Sequence, residues 1–573
     1  MESIFHRWRL RNKKKQEKAF NLSYSPVLTQ ILANRGIVKE EDINLFLKPS
    51  IKYLHDPFLL PNMESAVERL IRAVKDREKI LIFGDYDADG VISAAILYNF
   101  LDKLDAGPQV YIPSRFDEGY DISLDFIKKV KDSYGLVICV DCGTNSLKVQ
   151  QHVLAGNGPD FIVCDHHEPV KSLEEDNNPR YIIINPKLRS SGYPFKHLSG
   201  GGVTFKFIIA TLRKISQVKK VKFQKSYLNE LLDLVAVSTI ADVMPIIDEN
   251  RVIVKKGLKL MGKTSNKGLR GIIENVLEGR DEISAYDVAF IIAPRLNAAG
   301  RIERAYSSIE LLKNGCMDID KKVCKLNGFN QKRKKIQDKI FKGIISSGIL
   351  EDIVRNERIY VGKSEEWNEG VLGIVASDIV KKYNIPAILF KEKGEELKGS
   401  GRSIPGFNLY ESLSLIDKYF TKYGGHELAC GITMEKNKYK DFKREIARIA
   451  SNAIREEDIK KKLYYDLEIN FSQIDPKLVK DLKLLEPCGV GNPKPAFMTK
   501  KCTIRDIRLL KGGKHVKLSL ENSGTSLQAI MFGVEEQVKE KIRIGSKINI
   551  LYYIQENEWM GNKNIQLVLV DLF

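Results

Sequence analysis

A cluster of closely spaced carboxylates follows the apolar run ILIF in the first hundred residues. The segment GDYDADG at positions 84–90 places Asp85, Asp87 and Asp89 at alternate positions, where a strand would end and a turn begin. Three neighbouring carboxylates repel one another, and a hard cation such as Mg²⁺ or Mn²⁺ relieves that repulsion by taking oxygen ligands. The segment therefore indicates a metal site, although an acidic surface turn has the same composition.

Three later segments carry the same kinds of side chain. VDCG contains Asp141, CDHH contains Asp165, His166 and His167, and TIADVMP contains Asp242. Because parallel strands end at the same edge of a sheet, these side chains can meet in space. Mixed carboxylate and imidazole donors around two ions bind the attacking water and the leaving oxygen in phosphoryl transfer. The four clusters together predict hydrolysis of a phosphoester or phosphoanhydride, without naming its substrate.

A further group of segments suits a bound phosphate. GSGRS supplies Ser400 and Arg402, and GGH supplies His426. Glycines let backbone amides approach an anion, while the guanidinium and imidazole groups donate charge-assisted hydrogen bonds. We expect these side chains to hold substrate opposite the metals. The segment APRLNAAGR adds candidate substrate contacts, for which a helix cap with solvated arginines is the alternative: Arg295, Asn297 and Arg301.

The elements that must position these residues follow from hydrophobic patterning. Between 79 and 186, β-branched runs that are apolar on both faces alternate with helical stretches, which predicts parallel βαβ units. Helices are expected over 228–244 and 307–349, and a second α/β unit is expected from 358. Beyond 463, five short alternating strands are typical of a small OB-like barrel.

We therefore predict an α/β protein with a parallel-sheet catalytic domain, a second, smaller α/β domain joined by a long helix, and a C-terminal OB-like β-barrel. A chain of 573 residues exceeds the size of one hydrophobic core. The predicted divisions are an N-terminal helical extension (1–70), the metal-binding domain (71–305), connecting helices (306–350), the substrate-binding α/β domain (351–460), and a linker with the barrel (461–573).

Composition narrows the class of protein. Lys and Arg exceed Asp and Glu by 92 to 74, and the net charge of +18 favours a polyanionic partner such as nucleic acid. Hydrophobic residues make up 43% of the chain, which argues against disorder. The eight cysteines include no CxxC pair, so neither a zinc module nor a disulfide framework is expected. No signal-like or membrane-length apolar run follows the start, and we expect a cytoplasmic location.

With these pieces in place, the chain resembles the Asp-His-His (DHH) phosphoesterase superfamily, and within it the RecJ exonucleases, almost from end to end. GDYDADG, VDCG, DHH and ADVMP are similar to the metal-binding motifs in order; PRLNAAGR, GSGRS and GGHELACG are similar to the substrate-binding motifs. LLEPCGVGNPKPAF resembles the segment leading into the OB domain. The resemblance implies an exonuclease specific for single-stranded DNA that releases mononucleotides from the 5′ end in DNA repair and recombination. It also implies a monomer that acts beside a helicase and a single-strand-binding protein.

The resemblance assigns roles to individual residues as well. His167 would lie beside the scissile phosphate, so that the catalytic residues are Asp141, His166 and His167. The GSGRS and GGH segments would hold the phosphates of the strand. Two divalent ions, Mn²⁺ or Mg²⁺, would be bridged by Asp141 and bound by six ligands: Asp85, Asp87, Asp89, Asp141, His166 and Asp242.

Two positions depart from the family pattern. The family often has Trp-His and Ala-Ser-Arg where this chain has Asn368 and Asp378. An aspartate in place of a phosphate-contacting arginine would repel DNA. In the barrel, the candidates for stacking on bases, with core packing as the alternative, are Phe497, Tyr552, Tyr553 and Trp559.

Two other functions remain open at this point. Another member of the superfamily would act on short oligoribonucleotides, cyclic dinucleotides or pyrophosphate, but such small substrates need no strand-holding barrel. A non-catalytic nucleic-acid-binding scaffold is the alternative from a different class. The intact acidic motifs count against it, because an idle site need not keep carboxylates that repel one another.

Overall fold

The computed structural model describes residues 6–11, 24–115, 118, 121–170, 178–219, 225–559 and 562–573. Three sheets of five or six strands organise this part of the chain, and a two-stranded pairing joins residues 6–10 to residues 461–465. The elements up to the end of the first large sheet are β1 (His6–Leu10), α1 (Pro26–Asn34), α2 (Glu40–Leu47), α3 (Met63–Lys75), β2 (Ile80–Gly84), α4 (Ala88–Asp102), β3 (Gln109–Tyr111), α5 (Leu124–Val130), β4 (Leu136–Val140), α6 (Leu147–Leu154), β5 (Asp160–Cys164) and β6 (Tyr181–Ile184).

The first large sheet is parallel and has the order β3-β2-β4-β5-β6. Every residue of β2 and β4 is buried, because helices cover both faces of the sheet. Ile82 and Ile138 pack into an apolar cluster on one face, and Phe83 and Cys139 pack into a cluster on the other. The predicted doubly covered strands thus have the expected environment.

A helical region follows this sheet. Its helices are α7 (Gly200–Lys219), α8 (Lys225–Ala241), α9 (Asp248–Met261), α10 (Lys267–Leu277), α11 (Ala285–Asp287), α12 (Ala293–Ile302), α13 (Tyr306–Leu312), α14 (Ile319–Ser346) and α15 (Ile349–Arg355). A π-helical turn over Val288–Ile292 joins α11 to α12. The 28 residues of α14 span about 42 Å and supply the predicted long connecting helix.

The second α/β unit contains a mixed sheet. Its elements are β7 (Tyr360–Ser364), α16 (Leu372–Tyr383), β8 (Ala387–Lys393), β9 (Glu396–Arg402), α17 (Leu409–Ser414), β10 (Phe420–His426), β11 (Ala429–Glu435), α18 (Tyr439–Ala453) and α19 (Glu456–Ile459). The strand order is β10-β11-β9-β8-β7, with only β7 and β8 parallel. The glycine-rich GSGRS and GGH segments therefore lie on antiparallel strands β9 and β10, on either side of β11.

A closed barrel forms the last part of the chain. Its elements are β12 (Lys461–Tyr465), β13 (Leu467–Glu468), α20 (Pro476–Lys483), β14 (Phe497–Leu510), β15 (His515–Asn522), β16 (Thr525–Phe532), α21 (Glu536–Lys539), β17 (Lys547–Trp559) and β18 (Asn562–Leu572). The order β14-β15-β16-β18-β17 closes through pairing of β14 with β17. The five predicted strands are these five, and closure removes the free edges that an open sheet would leave.

The amino-terminal segment packs against the barrel end of the molecule. Strand β1 pairs in parallel with β12, and Leu28 and Ile31 of α1 share one apolar cluster with Leu478 and Phe497. The helical extension predicted for residues 1–70 therefore does not stand apart. The division of the chain into five parts stays a prediction.

Candidate metal centre and substrate cleft

The acidic and histidine motifs lie at one edge of the first sheet. Asp85 directly follows β2, Asp141 directly follows β4, and His166 lies two residues beyond β5, the three strands being neighbours in that order. Asp89 lies in the first turn of α4, and Asp242 directly follows α8. Because these strands are parallel, their carboxyl ends gather side chains that are far apart in sequence.

Two sets of donor atoms share this edge. Nε2 of His166 lies 3.1 Å from Oδ1 of Asp141, 3.5 Å from Oδ2 of Asp242 and 3.9 Å from Oδ2 of Asp89. In the second set, Asp85, Asp87 and Asp141 offer oxygen atoms that all lie within 4.8 Å of one another. Asp141 is within reach of both sets, as a carboxylate that bridges two ions must be.

Unpaired polar atoms test whether these residues suit a metal. Among the described residues, Oδ1 of Asp85, Oδ1 of Asp141, Oδ2 of Asp242 and Nε2 of His166 are buried and form no hydrogen bond. Burial first, and neighbouring carboxylates second, raise the pKa of the three aspartates well above the ordinary value. Buried charges of one sign are costly unless a counter-charge is present, and oxygen donors with one imidazole suit Mn²⁺ or Mg²⁺. The side chains therefore fit two divalent ions.

The carboxylate of Asp89 is fixed by the start of α7. It accepts hydrogen bonds from the amides of Gly200 and Gly201, at 2.8 and 3.0 Å, and from the hydroxyl of Ser238. A Cβ at Gly200 would lie 2.6 Å from Cβ of Asp141, so this close approach requires glycine. Burial and the charge of Asp87 raise the pKa of Asp89 to about 6, against the effect of these hydrogen bonds.

Asp165 orients both histidines of the DHH motif. Its Oδ1 accepts hydrogen bonds from the amides of His166 and His167, at 2.7 and 3.2 Å, and lies 2.8 Å from Nδ1 of His167. Burial lowers the pKa of His167, but the charge of Asp165 and its hydrogen bond outweigh this effect and raise the pKa to about 9. Burial and the charge of His167 lower the pKa of His166 to about 3. His166 is therefore a neutral imidazole suited to ligation, and His167 is a cation next to it.

A cleft of about 1460 Å³ separates the two α/β units. His166, His167 and Lys187 line one wall, and Gly425 and His426 belong to the other wall. Gly425 has φ +140°, and a Cβ there would lie 2.2 Å from the carbonyl oxygen of Ala429, so the strand turns here only with glycine. The GGH segment thus faces the DHH segment, as its predicted role requires.

Three guanidinium groups gather beside the metal-binding motifs. Arg301 donates to the carbonyl of Gly370 at 3.1 Å, and a Cβ at Gly373, three residues later, would lie 2.8 Å from Nη2 of Arg402. Burial and the charge of Arg115 lower the pKa of both Arg301 and Arg402. Arg402 donates to Oγ of Ser400 at 3.2 Å, and Arg115 lies 4.3 Å above the ring of Tyr86. Guanidinium groups stay charged at neutral pH, so this cluster favours an anion. Arg115 was not predicted from the sequence. Its position just beyond β3, at the same sheet edge as the aspartates, could have indicated it.

The other candidates in APRLNAAGR make contacts within the protein. Oδ1 of Asn297 accepts the amide of Ala88 at 2.9 Å, which fixes the start of α4. Arg295 donates to Oδ1 of Asn327 at 2.7 Å and to the carbonyl of Ile291 at 2.5 Å. These contacts hold α12 against α4 and α14 and thereby position the end of α12, where Arg301 lies.

The barrel aromatics differ in their surroundings. Phe497 and Tyr552 have no exposed surface, and the Tyr552 hydroxyl lies 2.8 Å from Oγ1 of Thr499, so both are core residues and cannot stack on a base. Tyr553 is half-buried, with Nζ of Lys494 5.2 Å from its ring centre. The side chain of Trp559 lies outside the described residues. Within the part of the chain that the structure describes, none of the helices is both long and apolar enough to cross a membrane.

Comparisons with known proteins bear on each part of the chain. Three family models match: "DHH family, N-terminal domain" over residues 79–239, "DHHA1 domain" over 356–452 and "RecJ OB domain" over 465–571. The single-stranded-DNA-specific exonuclease RecJ of Bacillus subtilis (strain 168) is 35% identical over 96% of this chain and 68% of its own length. The RecJ of Haemophilus influenzae is 30% identical over 96% of both chains.

Solved structures agree with these matches. RecJ from Thermus thermophilus in complex with Mn²⁺ superposes with a TM-score of 0.83 at 26% identity, covering 99% of this chain and 79% of that chain. The same protein has been solved with Mg²⁺. The predicted fold class is thereby confirmed, and ions of the predicted kind occupy relatives of this fold. The chain belongs to the RecJ family.

Proposed function

We propose that this protein is a metal-dependent exonuclease that hydrolyses single-stranded DNA from the 5′ end and releases mononucleotides, in DNA repair and recombination. One observation carries the proposal: Asp141 lies between two donor sets at the sheet edge, and an arginine cluster lies beside them. The RecJ relatives from Bacillus subtilis and Haemophilus influenzae are named for activity on single-stranded DNA. Metal-dependent hydrolysis of a phosphodiester is the chemistry that such a site performs.

The donor sets would hold the two ions as follows. Asp89, His166 and Asp242 would hold the first ion, Asp85 and Asp87 would hold the second, and Asp141 is within reach of both sets. Two divalent ions held there lower the pKa of a bound water and balance the charge that develops on the scissile phosphate. The raised pKa values of the carboxylates mean that ion binding would displace protons from them, whereas the neutral His166 could bind an ion without losing a proton.

His167 acts on the phosphate itself in this proposal. Its ring is held by Asp165 and is 40% exposed toward the cleft, and its pKa of about 9 keeps it charged at neutral pH. An imidazolium can donate a hydrogen bond to a phosphate oxygen and neutralise charge that grows during attack. Asp165 is a positioning residue, because it fixes the ring orientation through Nδ1.

The arginine cluster would determine the end from which the strand is digested. A terminal phosphate monoester carries more negative charge than an internal diester. Arg115, Arg301 and Arg402 offer converging guanidinium groups beside Ser400, and His426 lines the same cleft. A strand whose 5′ phosphate is held there presents its first diester bond to the metal centre, which yields mononucleotides.

The rest of the proposal concerns context. The closed barrel would grip the incoming single strand, and the cleft between the two α/β units would exclude a wider duplex. The eight cysteines are all free, in keeping with a reducing cytoplasm. We also propose that the protein acts as a monomer beside a helicase and a single-strand-binding protein.

Digestion of end-labelled oligonucleotides tests the function. Single-stranded DNA labelled at the 5′ or the 3′ end is incubated with Mn²⁺ or EDTA, beside duplex DNA, single-stranded RNA and labelled dinucleotides. We expect Mn²⁺-dependent release of 5′-labelled mononucleotide from single strands and no release by Asp141→Ala. Asp132→Ala, which removes a carboxylate that is 87% exposed, is the matched control and should behave as wild type. Cleavage of dinucleotides alone, or no cleavage, would instead support the small-substrate enzyme or the scaffold.

A further inference from the structure

Arg333 on α14 is oriented by two side chains of its own helix. It donates from Nη1 to Oε1 of Gln337 at 2.8 Å and from Nη2 to Oδ1 of the buried Asn330 at 2.7 Å. A guanidinium has five N–H donors, so these two bonds fix its direction and leave others for an anion. Such a half-buried, oriented arginine resembles the cations of the cluster more than a solvated lysine of the same helix.

Gln337 connects this arginine to Asp378, one of the two departures from the family pattern. Nε2 of Gln337 donates to Oδ2 of Asp378 on α16 at 2.5 Å, while its oxygen accepts from Arg333. The charge of Asp378 also acts directly on Arg333, opposing the lowering of its pKa by burial. The negative charge of Asp378 therefore faces α14 and is balanced by the cation Arg333. It is not an unpaired charge that would face the DNA.

Arg333 extends the arginine cluster along α12. Burial is the main cause that lowers the pKa of Arg295, and the charge of Arg333 lowers it further. The charge of Arg333 also contributes to the lowered pKa of Arg301.

Two contacts tie α14 and α16 to the cluster. Arg295 of α12 donates to Oδ1 of Asn327 on α14 at 2.7 Å, and a Cβ at Gly373, at the start of the helix that carries Asp378, would lie 2.8 Å from Nη2 of Arg402. Guanidinium groups therefore continue from the phosphate-binding cluster toward Arg333. Like charges in a row repel one another, and a polyanion that spans them relieves that repulsion.

We propose that Arg333 binds a phosphate of the DNA strand outside the Arg115–Arg301–Arg402 cluster, and that Asp378 positions it through Gln337. The inference rests on the proposed function and extends its substrate site to α14. It reverses the expectation from sequence, in which an aspartate at 378 would repel DNA. Arg333 contacts substrate in this proposal, whereas Asp378 acts through another residue.

Steady-state digestion of 5′-phosphorylated single-stranded DNA in Mn²⁺ over a range of salt concentrations tests the role of Arg333. For Arg333→Gln we expect KM to rise about tenfold, the loss of one charge-assisted bond, with kcat little changed. The slope of log kcat/KM against log salt should become shallower by about 0.7, the value for one lost phosphate contact on a single strand. Arg333→Lys should keep the wild-type slope, because it keeps the charge.

The matched control is Lys335→Gln, which removes an exposed cation two residues further along the same helix, on its opposite side. It should keep the wild-type KM and salt slope. Wild-type digestion with an unchanged KM and slope in Arg333→Gln would overturn the inference and leave the proposed function standing. Failure of wild type to digest single strands would overturn the proposed function itself.

Substitutions of Asp378 distinguish a positioning role from repulsion of DNA, because the two roles predict opposite changes in KM. Positioning predicts that Asp378→Ala raises KM about threefold, and that Asp378→Asn, whose amide oxygen can still accept from Gln337, lies closer to wild type. It also predicts that Asp378→Ala has no further effect in the Arg333→Gln background, since the two residues act together. Repulsion predicts that both substitutions lower KM, and that outcome would overturn the positioning role.

Discussion

Nε2 of His166 lies 3.1 Å from Oδ1 of Asp141, with both atoms buried and neither forming a hydrogen bond within the described chain. Neighbouring ligands of an octahedral ion with bonds of about 2.1 Å stand about 3 Å apart, so this is a separation between two ligands of one ion. Asp141 follows β4 and His166 follows β5, so the pairing of these two strands places the two donor atoms as ligands of one ion.

Asp141→Asn is expected to separate activity from stability. Because Asp141 reaches both donor sets, its loss should lower kcat/KM by more than about 100-fold, beyond the cost of losing an outer-shell partner. The melting temperature in EDTA should not fall, since the substitution removes one of several buried carboxylates that repel one another. Thermal unfolding with and without Mn²⁺, beside exonuclease assays, measures both effects. A variant that keeps Mn²⁺-dependent activity would contradict the bridging role.

The stability of the metal-free protein should depend on pH in a defined direction. The pKa of Asp89 is raised to about 6, so the folded state retains a proton that the unfolded chain loses at lower pH. This contribution to stability is complete below the unfolded pKa and is lost as pH rises through about 6. Mn²⁺ needs the ionised carboxylates, so its effect on melting temperature should be larger at pH 7.5 than at pH 5.0. Equal effects at both pH values would count against these carboxylates as ligands.

Ser238→Ala probes the support of Asp89. The hydroxyl donates to the Asp89 carboxylate, and its removal leaves the amides of Gly200 and Gly201 and a longer contact from Oγ of Ser93, at 3.5 Å, to orient that carboxylate. We expect Mn²⁺ affinity to fall about 10- to 100-fold, as for other outer-shell partners, which titration calorimetry can measure. Ser216→Ala on α7 is the control, because Ser216 donates only to the carbonyl of Leu212 in its own helix. Unchanged affinity in Ser238→Ala would show that the remaining donors to Asp89 suffice.

Arg251→Met should loosen the barrel from the catalytic part. The buried Arg251 of α9 donates to the carbonyl of Phe46 and to four carbonyls of residues 484–487, which lead into the barrel. Lys255 and Asn492 still donate to the carbonyls of residues 484, 485 and 487, but the substitution takes this donor from the carbonyls of Phe46 and Glu486. We expect a cost of about 3 kcal/mol, and the first thermal transition should fall by several degrees. Arg280→Met removes an arginine that is 62% exposed and should leave that transition unchanged. If both variants showed the same temperature for the first transition, Arg251 would not be the residue that links the barrel to the catalytic part.

Sequence by itself determined most of the catalytic half of this protein. The runs ending in Asp85, Asp141 and Asp165 are strands because an uninterrupted β-branched run is stable only between two layers of helices. Parallel pairing then forces their carboxyl ends to one edge, so the metal centre followed from local pattern and a general rule of sheets. The five barrel strands followed in the same way from their alternation.

Tertiary structure alone decided which side chains meet across the domains. Alternation in a strand shows that two faces differ but not which residue faces the inside of a barrel, so Phe497 and Tyr552 were open candidates until closure buried them. Arg115 carries no motif, and its membership of the arginine cluster depends on the packing of α12 beside the sheet edge. The pairing of Asp378 with Gln337 and Arg333, and the packing of α1 on the barrel, join segments far apart in sequence. Such contacts depend on how whole elements pack, and local sequence pattern contains no information about that.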